Sequence, residues 1–186
     1  MTSTSRKRTF GVVALALSAF ALSACVTQQQ AFDEGIGFRE ARFAEVSAMR
    51  DFRQCRDDAV ELDSQARASG DVAKYLASAR LLEKCEASIG PESRGVAKDV
   101  RMRGYAMTVQ NYLKGGDIKS ARDNLEKLTS AYPNADLYYP DGSSFVDTME
   151  VLLGVRERGA IGKFSDANVN PELKAELRRV RYWQTH

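Results

Sequence analysis

The stretch from Met102 to Pro133, MRGYAMTVQNYLKGGDIKSARDNLEKLTSAYP, decides the fold that we expect for this chain. A helical pattern ends near Lys114, a Gly115-Gly116-Asp117 sequence follows, and apolar residues then recur at steps of three and four. Glycine suits the left-handed end of one helix, and aspartate suits the capping position of the next. The stretch therefore predicts two helices joined by a tight turn.

This stretch resembles a tetratricopeptide repeat, a helical pair that stacks on similar pairs. The matches are an early aromatic residue, a tyrosine two turns later, a glycine-aspartate turn, a small and then a large apolar residue in the second helix, and a closing proline: Tyr105, Tyr112, Gly116, Asp117, Ala121, Leu125 and Pro133. Thr108 and Val109 depart from the family pattern, which prefers leucine and a small residue there. A generic helical hairpin is the alternative.

An earlier hairpin, from Cys55 to Ile89, resembles a weaker second copy of the repeat. Gly70 and Asp71 form its turn, but the early aromatic residue and the closing proline are missing. Because a single repeat cannot bury its own apolar faces, the flanking helices must act as neighbours or caps. We therefore predict an all-α fold in which antiparallel helical hairpins stack as a short tetratricopeptide-like array, within one domain of residues 38–186.

The earlier hairpin also brings two cysteines into register. We expect its helices over residues 38–69 and 72–89, with apolar stripes formed by Phe52, Cys55, Ala59, Leu62 and Ala66, and by Val72, Tyr75, Ala79, Leu82 and Cys85. Cys55 lies 15 residues before Gly70, and Cys85 lies 15 residues after it. Equal rise along two antiparallel helices places the cysteines side by side, and an oxidising compartment favours a bridge. We predict a Cys55–Cys85 disulfide, with two buried free thiols as the alternative.

Two further helices are expected after the repeat. Ser144 should cap a helix that runs to about Glu157 and buries Phe145, Val146, Met149, Leu152 and Leu153. An irregular link over residues 159–168 separates it from a last helix that begins at Pro171. We expect Trp183 to dock on the preceding helix. The arginines near its end, Arg178, Arg179 and Arg181, are interpreted as a solvated basic end rather than an anion site.

The N-terminus has the pattern of an export signal. Basic residues at positions 6–8 precede an uncharged, mostly apolar stretch at positions 10–24. These 15 residues are fewer than the roughly 20 that a helix needs to span a bilayer. We therefore predict a signal peptide over residues 1–24 rather than a transmembrane anchor.

The end of this stretch, Leu22-Ser23-Ala24-Cys25, resembles the lipobox of bacterial lipoproteins. The resemblance implies cleavage before Cys25 and a diacylglyceryl thioether on its sulfur, so that acyl chains hold the protein at a membrane. Residues 25–37 would then be the lipidated cysteine and a flexible tether. Val26 rather than aspartate after the cysteine implies the outer membrane by the sorting rule of enteric bacteria. An ordinary secretory signal with an incidental cysteine is the alternative.

Cleavage would change the charge balance of the protein. The full sequence has 27 Lys and Arg against 25 Asp and Glu. Residues 1–24 contain three of the basic residues and none of the acidic ones, so the mature chain has a net charge of −1. Because the mature chain has no excess of positive charge to neutralise phosphates, we do not expect nucleic acid as a partner.

The sequence offers little catalytic chemistry. His186 is the only histidine and the final residue, so we predict neither a serine-histidine-carboxylate triad nor a histidine-based zinc site. Cys25 is expected to carry lipid and the other two cysteines to be bonded, which leaves no thiol nucleophile. We therefore expect no enzyme, no cofactor and no metal.

Binding is the function that remains. We expect an outer-membrane-anchored periplasmic scaffold or adaptor in a cell-envelope assembly, in contact with the membrane through its lipid and with envelope proteins. The face made by the first helix of each hairpin, with Tyr138 and Tyr139, is the candidate partner-binding surface, because exposed tyrosines favour interfaces. Packing of these tyrosines under their loop is the alternative. The alternative function is a periplasmic binding protein for a small ligand or a cell-wall fragment.

Counting thiols tests the predicted disulfide. With lipid on Cys25 and a bond between Cys55 and Cys85, denatured mature protein should show free thiols only after reduction. Closing the loop should stabilise the fold by about 3.5 kcal/mol in the chain-entropy description. Two free thiols in denatured, unreduced protein would rule the bridge out.

Overall fold

The computed structural model describes residues 9–90, 95–157 and 165–186, with side chains from residue 37 onward. Regular secondary structure in these ranges is helical, and one isolated antiparallel bridge joins Tyr138 and Ser144. The predicted all-α class is confirmed. The helices are α1 (Thr9–Ser69), α2 (Val72–Ala87), α3 (Lys98–Lys114), α4 (Ile118–Ala131), α5 (Phe145–Leu152) and α6 (Pro171–Thr185).

The chain divides into two compact units, residues 1–46 and residues 47–186. The described side chains of the first unit lie on α1, where Arg42 and Glu45 form an ion pair at 2.9 Å. The second unit contains the rest of α1 and all of α2 to α6. Among the described residues, no helix is long and apolar enough to cross a membrane.

The predictions for the N-terminus fall largely on residues that the structure does not describe in full. α1 begins at Thr9 rather than at the predicted Phe38, so its bounds include the predicted tether, residues 25–37. The side chains before Gly37, that of Cys25 among them, lie outside the described part of the chain. Signal cleavage and lipidation therefore remain predictions.

The hairpin of α1 and α2 forms as its residues predict. Gly70 adopts a φ of +67°, and the side chain of Asp71 accepts a backbone N–H of the first turn of α2 at 2.9 Å. The sulfur atoms of Cys55 and Cys85 lie 1.98 Å apart, so the structure joins the two cysteines that were predicted to pair. The predicted apolar stripes are buried or half-buried except for Val72, which is 51% exposed at the first residue of α2.

A buried polar link joins α1, α2 and α3. The hydroxyl of Ser78 on α2 donates to the backbone carbonyl of Ala59 on α1 at 2.6 Å. The amide nitrogen of Asn111 on α3 donates to the Ser78 hydroxyl oxygen at 3.0 Å. Because buried polar groups have lost their hydrogen bonds to water, this link favours one arrangement of the three helices over others.

The turn between α3 and α4 also forms as predicted. Gly116 adopts a φ of +78°, and the side chain of Asp117 accepts the backbone N–H of Ser120 at 3.0 Å. Gly115 approaches α2 closely, since a Cβ atom there would lie 2.4 Å from a side-chain carbon of Leu76. A larger residue would have to push Leu76 aside, so the glycine lets this turn lie against α2.

Helices that follow one another in the sequence pack on one another: α2 on α3, α3 on α4, and α4 on α5. The main core lies among these four helices and contains Ala79, Met102, Ala106, Val109, Tyr112, Ala121, Leu125, Leu128, Tyr132, Phe145, Met149 and Leu153. Of the apolar residues that recur at steps of three and four in α4, Ala121, Leu125 and Leu128 are buried, and Ile118 is 36% exposed. The core is thus built mainly from contacts between helices that are neighbours in the sequence.

The predicted end of α5 is wrong. The helix ends at Leu152 rather than near Glu157. Gly154 adopts a left-handed φ of +67°, and the backbone N–H of Val155 bonds back to the carbonyl of Glu150 at 2.8 Å, which closes the helix. Leu152, which was predicted to be buried, is 44% exposed as a result.

The predicted docking of Trp183 is also wrong, because its side chain is 70% exposed. The start of α6 is as predicted: Asn170 caps it by accepting a backbone N–H at 2.8 Å. Leu173 and Leu177 pack against a small cluster that includes Val151. Beyond Leu177 the helix extends past the cluster that covers its first two turns. The predicted link before α6 lies partly outside the described ranges.

Ser78→Ala should destabilise the protein by about 1–3 kcal/mol, because the carbonyl of Ala59 and the amide of Asn111 would each lose a buried partner. Chemical denaturation followed by circular dichroism measures the change. Ser69→Ala is the matched control, since the exposed Ser69 hydroxyl bonds only within its own helix, and should change stability by no more than about 0.5 kcal/mol. Equal, small effects of both substitutions would contradict the role of the link.

Candidate binding groove

A cavity of about 580 Å³ opens between α2, α3 and α4, and we call it the groove. α3 packs on both α2 and α4, so α2 and α4 lie on the two sides of the groove. The polar and aromatic residues that line the groove are Glu83 and Glu86 on α2, Lys98, Arg101 and Tyr105 on α3, and Asn124, Lys127 and Tyr132 on or next to α4. The groove is therefore a polar site with aromatic walls.

A buried ion pair joins two sides of the groove. The guanidinium of Arg101 donates from Nε to both carboxylate oxygens of Glu86, at 3.0 and 3.2 Å, and also from Nη2. The Arg101 side chain is 8% exposed and that of Glu86 15%. The hydrogen bond to Glu86 raises the pKa of Arg101. Because removing either partner would leave an uncompensated buried charge, this pair holds α3 against α2 in one position.

Two tyrosines stand beside this ion pair. The rings of Tyr105 and Tyr132 meet edge to face, with centroids 6.3 Å apart. Burial, together with the negative charge of Glu86, raises the pKa of Tyr105 to about 12. Burial also raises the pKa of Tyr132. Both phenols stay protonated near neutral pH, and the hydroxyl of Tyr105 is hydrogen-bonded to the carboxylate of Glu86.

A second network converges on Glu83. One carboxylate oxygen accepts from Lys127 at 2.8 Å and from the amide nitrogen of Asn124 at 3.0 Å, and the other accepts from the Tyr112 hydroxyl. Burial acts to raise the pKa of Glu83, but the hydrogen bonds from Lys127, Tyr112 and Asn124 outweigh it, so the pKa lies below its ordinary value. The carboxylate of Glu83 on α2 thus accepts hydrogen bonds from side chains of both α3 and α4.

Asn124 has one polar atom without a partner in the described part of the chain. Its amide nitrogen donates to Glu83 and to the backbone carbonyl of Ser120, at 3.0 and 2.9 Å. Its side-chain oxygen is buried and accepts no hydrogen bond from the described residues. A small cavity of about 10 Å³ also adjoins Asn124, and a space of that size holds about one water molecule. A water in this small cavity could donate a hydrogen bond to this oxygen.

The charges of the groove are mostly satisfied within it. Arg101 pairs with Glu86, and Lys127 pairs with Glu83. Lys98 at the rim is exposed and forms no ion pair with the described residues. No group of three or more His, Cys, Asp or Glu side chains that would hold a metal ion occurs in the part of the chain that the structure describes. The arrangement offers hydrogen bonds, two aromatic rings and the exposed ammonium of Lys98, which are means of binding.

The structure places Tyr138 and Tyr139 outside the groove and gives them different surroundings. Tyr138 is 69% exposed. Tyr139 is half-buried, with its ring 6.1 Å from that of Phe145 and its hydroxyl accepting from the amide of Gln110 at 3.5 Å. Tyr139 thus belongs to the packing under the loop, whereas Tyr138 remains available for contact.

The residues of the groove were not identified from the sequence. Their spacing does carry information. Glu83 and Glu86 on α2 are three residues apart, and so are Asn124 and Lys127 on α4. Residues three apart share a helix face, so each pair was predictable as a polar strip on one side of its helix. That the two strips face each other across Tyr105 is a property of the tertiary structure.

Comparison with known proteins gives no match: no protein-family model, no curated protein and no solved structure matches this chain. The resemblances to a lipobox and to a tetratricopeptide repeat therefore remain predictions from the residues that carry them. The function has to be argued from the chemistry and arrangement of the chain's own side chains.

Glu83→Gln should lower stability by about 1 kcal/mol at neutral pH, because the charged interaction with Lys127 is lost. Glu83 has a folded pKa below its ordinary value of 4.5. Its charge therefore stabilises the fold above about pH 4.5, and this contribution is lost as the pH falls through the folded pKa. The gap between wild type and variant, measured by denaturation at several pH values, should close in acid. A gap that is constant with pH would contradict this role; the exposed Glu126→Gln on α4 is the control.

Proposed function

We propose that this chain is an exported, lipid-anchored helical protein of the bacterial cell envelope that binds another protein through the groove and acts as a scaffold or adaptor. The observation that carries the proposal is the lining of the groove, where Tyr105, Tyr132 and Arg101 lie together. Tyrosine and arginine are enriched at protein interfaces and often contribute most of the binding energy. A partner segment would place apolar groups on the rings and polar groups over the ion pair.

Two features far apart in the sequence support a place in the envelope. The lipobox-like Leu22-Ser23-Ala24-Cys25 favours export and lipidation, and Val26 favours the outer membrane. The pairing of Cys55 with Cys85 is typical of proteins in oxidising compartments such as the periplasm. Acyl chains on Cys25 would hold the domain at the membrane surface, within reach of other envelope proteins.

The helical hairpins support a binding role of the tetratricopeptide type. Each of the pairs α1/α2 and α3/α4 turns at a left-handed glycine followed by a capping aspartate. Stacked pairs of this kind form extended concave surfaces for partners. The surface proposed here is the groove, which is lined by one first helix, α3, and by the second helices α2 and α4. The sequence had suggested the face of the first helices together with Tyr138 and Tyr139.

A small ligand or cell-wall fragment is the second candidate, favoured by the size of the groove. Its volume of about 580 Å³ falls within the range of roughly 300–1,000 Å³ that is usual for small-molecule pockets. Lys98 would supply a positive charge for a carboxylate, and the phenols of Tyr105 and Tyr132 would supply hydroxyl groups. Cell-wall fragments carry amides, hydroxyls and carboxylates that suit such a lining.

Site-specific crosslinking in intact cells separates the two candidates. A photoreactive amino acid in place of Lys98, at the rim of the groove, should yield one stoichiometric protein adduct if the chain is an adaptor. The same amino acid in place of Lys84, which is exposed on α2 outside the groove, is the matched control and should yield none. A third position, Tyr138, tests the surface that the sequence suggested.

These measurements test the location of the protein and the identity of its partner separately. Mass spectrometry of the same protein should find a mature N-terminus at acylated Cys25; uncut, unacylated chain in the cytosol would overturn the location. An adduct from Tyr138 or Lys84 but not from Lys98 would move the binding surface away from the groove. No protein adduct from any position would favour the small ligand.

A further inference from the structure

Gly104 lies in the interior of α3, where glycine weakens a helix. The residue is buried, and glycine inside a helix is less stable than alanine because its backbone loses more freedom on folding. Its φ is not positive, so the backbone does not require glycine here. A Cβ atom at this position would meet the ring of Phe52 at 3.8 Å, an ordinary van der Waals distance, and no other heavy atom within 4 Å beyond its chain neighbours and its own helix backbone. Alanine would therefore fit, and glycine leaves a space that the methyl group of alanine would fill.

The space beside Gly104 is the small cavity of about 10 Å³ that also adjoins Asn124. Residues of four helices line it: Phe52 on α1, Leu82, Glu83 and Glu86 on α2, Gly104, Tyr105 and Thr108 on α3, and Asn124 on α4. Four of these residues, Glu83, Glu86, Tyr105 and Asn124, also line the groove. The cavity therefore lies behind side chains that form the wall of the groove.

Two acceptors beside this cavity have capacity that the described side chains do not fill. Asn124 is 1% exposed, and its amide nitrogen already donates to Glu83 and to the backbone carbonyl of Ser120. Its side-chain oxygen accepts no hydrogen bond from the described residues. The carboxylate of Glu83 accepts from Asn124, Lys127 and Tyr112, and a carboxylate offers about four acceptor positions. Because a buried acceptor without a donor costs free energy, this lining favours a hydrogen-bond donor in the cavity.

We propose that one water molecule is bound in this cavity and that Gly104 leaves the space for it. The water donates one hydrogen to the side-chain oxygen of Asn124 and the other to the carboxylate of Glu83, so that it links α4 to α2. The cavity has the volume of about one water molecule. Protein cavities that stay dry are apolar, whereas an amide and two carboxylates line this one beside Phe52 and Leu82.

The bound water supports the wall of the groove from behind. Glu83, Glu86, Tyr105 and Asn124 face both spaces, so a water fixed behind them limits the positions that these side chains take toward a bound molecule. The inference concerns the folded chain alone. It requires neither lipid on Cys25 nor a partner in the groove, and it stands if the proposed function fails.

Magnetisation transfer from water to protein protons detects a bound water in the full chain. The side-chain amide protons of Asn124 should show a nuclear Overhauser effect to water with the sign of a long-lived bound molecule. Gly104→Ala should abolish the effect, because the added methyl group takes the space. The hydroxyls of Tyr112 and Thr108 persist in this variant, so transfer relayed through them would remain. Absence of the effect in the wild-type chain would overturn the proposal, whether or not the variant folds.

Chemical denaturation gives a second, independent measurement. Arg103→Ala and Arg103→Gly, at the exposed neighbouring position of α3, are the matched controls. They should differ about four- to fivefold in the unfolding equilibrium constant, which is the preference of a helix for alanine. Gly104→Ala gains this factor but leaves the Asn124 oxygen without a donor, a loss of about 5- to 150-fold. We therefore expect Gly104→Ala to be no more stable than wild type. A gain as large as the alanine–glycine ratio at position 103 would indicate a dry cavity and overturn the proposal.

Discussion

The bond between Cys55 and Cys85 is the constraint on which most of the described structure depends. It joins α1 to α2 across 30 residues of sequence, and it lies on the same stretch of α2 as the groove residues Glu83 and Glu86. α3 packs on α2, and α4 packs on α3. Each helix packs on the one before, and the covalent link holds α2, which forms one wall of the groove, against α1.

Pairing of charges determines how the groove can recognise a molecule. Glu86 and Glu83 on α2 are held by cations from two other helices, Arg101 from α3 and Lys127 from α4. The Arg101–Glu86 pair is buried and the Lys127–Glu83 pair is partly exposed. A buried pair adds little net stability, but it strongly disfavours arrangements in which one partner is missing. Under the proposed binding role, a groove that pairs most of its own charge would select by shape and hydrogen bonding more than by long-range attraction.

The sequence was sufficient for features that depend on neighbouring residues. The capping residues Asp71, Asp117, Ser144 and Asn170 each bond the first turn of the helix that follows. The cysteine pairing needed only equal rise along two helices. The groove was not predictable in this way, because Glu86 and Arg101 meet through tertiary packing. Helical periodicity placed Trp183 among the apolar residues of α6. The pattern within one helix does not show how far residues from other parts of the chain cover that helix. Gly154 is the residue type that ends helices in the left-handed conformation, so the end of α5 was predictable from the sequence.

Packing between sequence neighbours makes the second unit a nearly linear series of helices. In such a series stability is shared locally, and opening begins at an end rather than in the middle. One end is tied covalently through Cys55, whereas α6 is attached mainly through Leu173 and Leu177. Backbone amides should therefore exchange with solvent fastest in α6, more slowly in α5, and slowest in α2 and α3. We therefore expect the second unit to open first at α6, while the helices next to the disulfide keep their places.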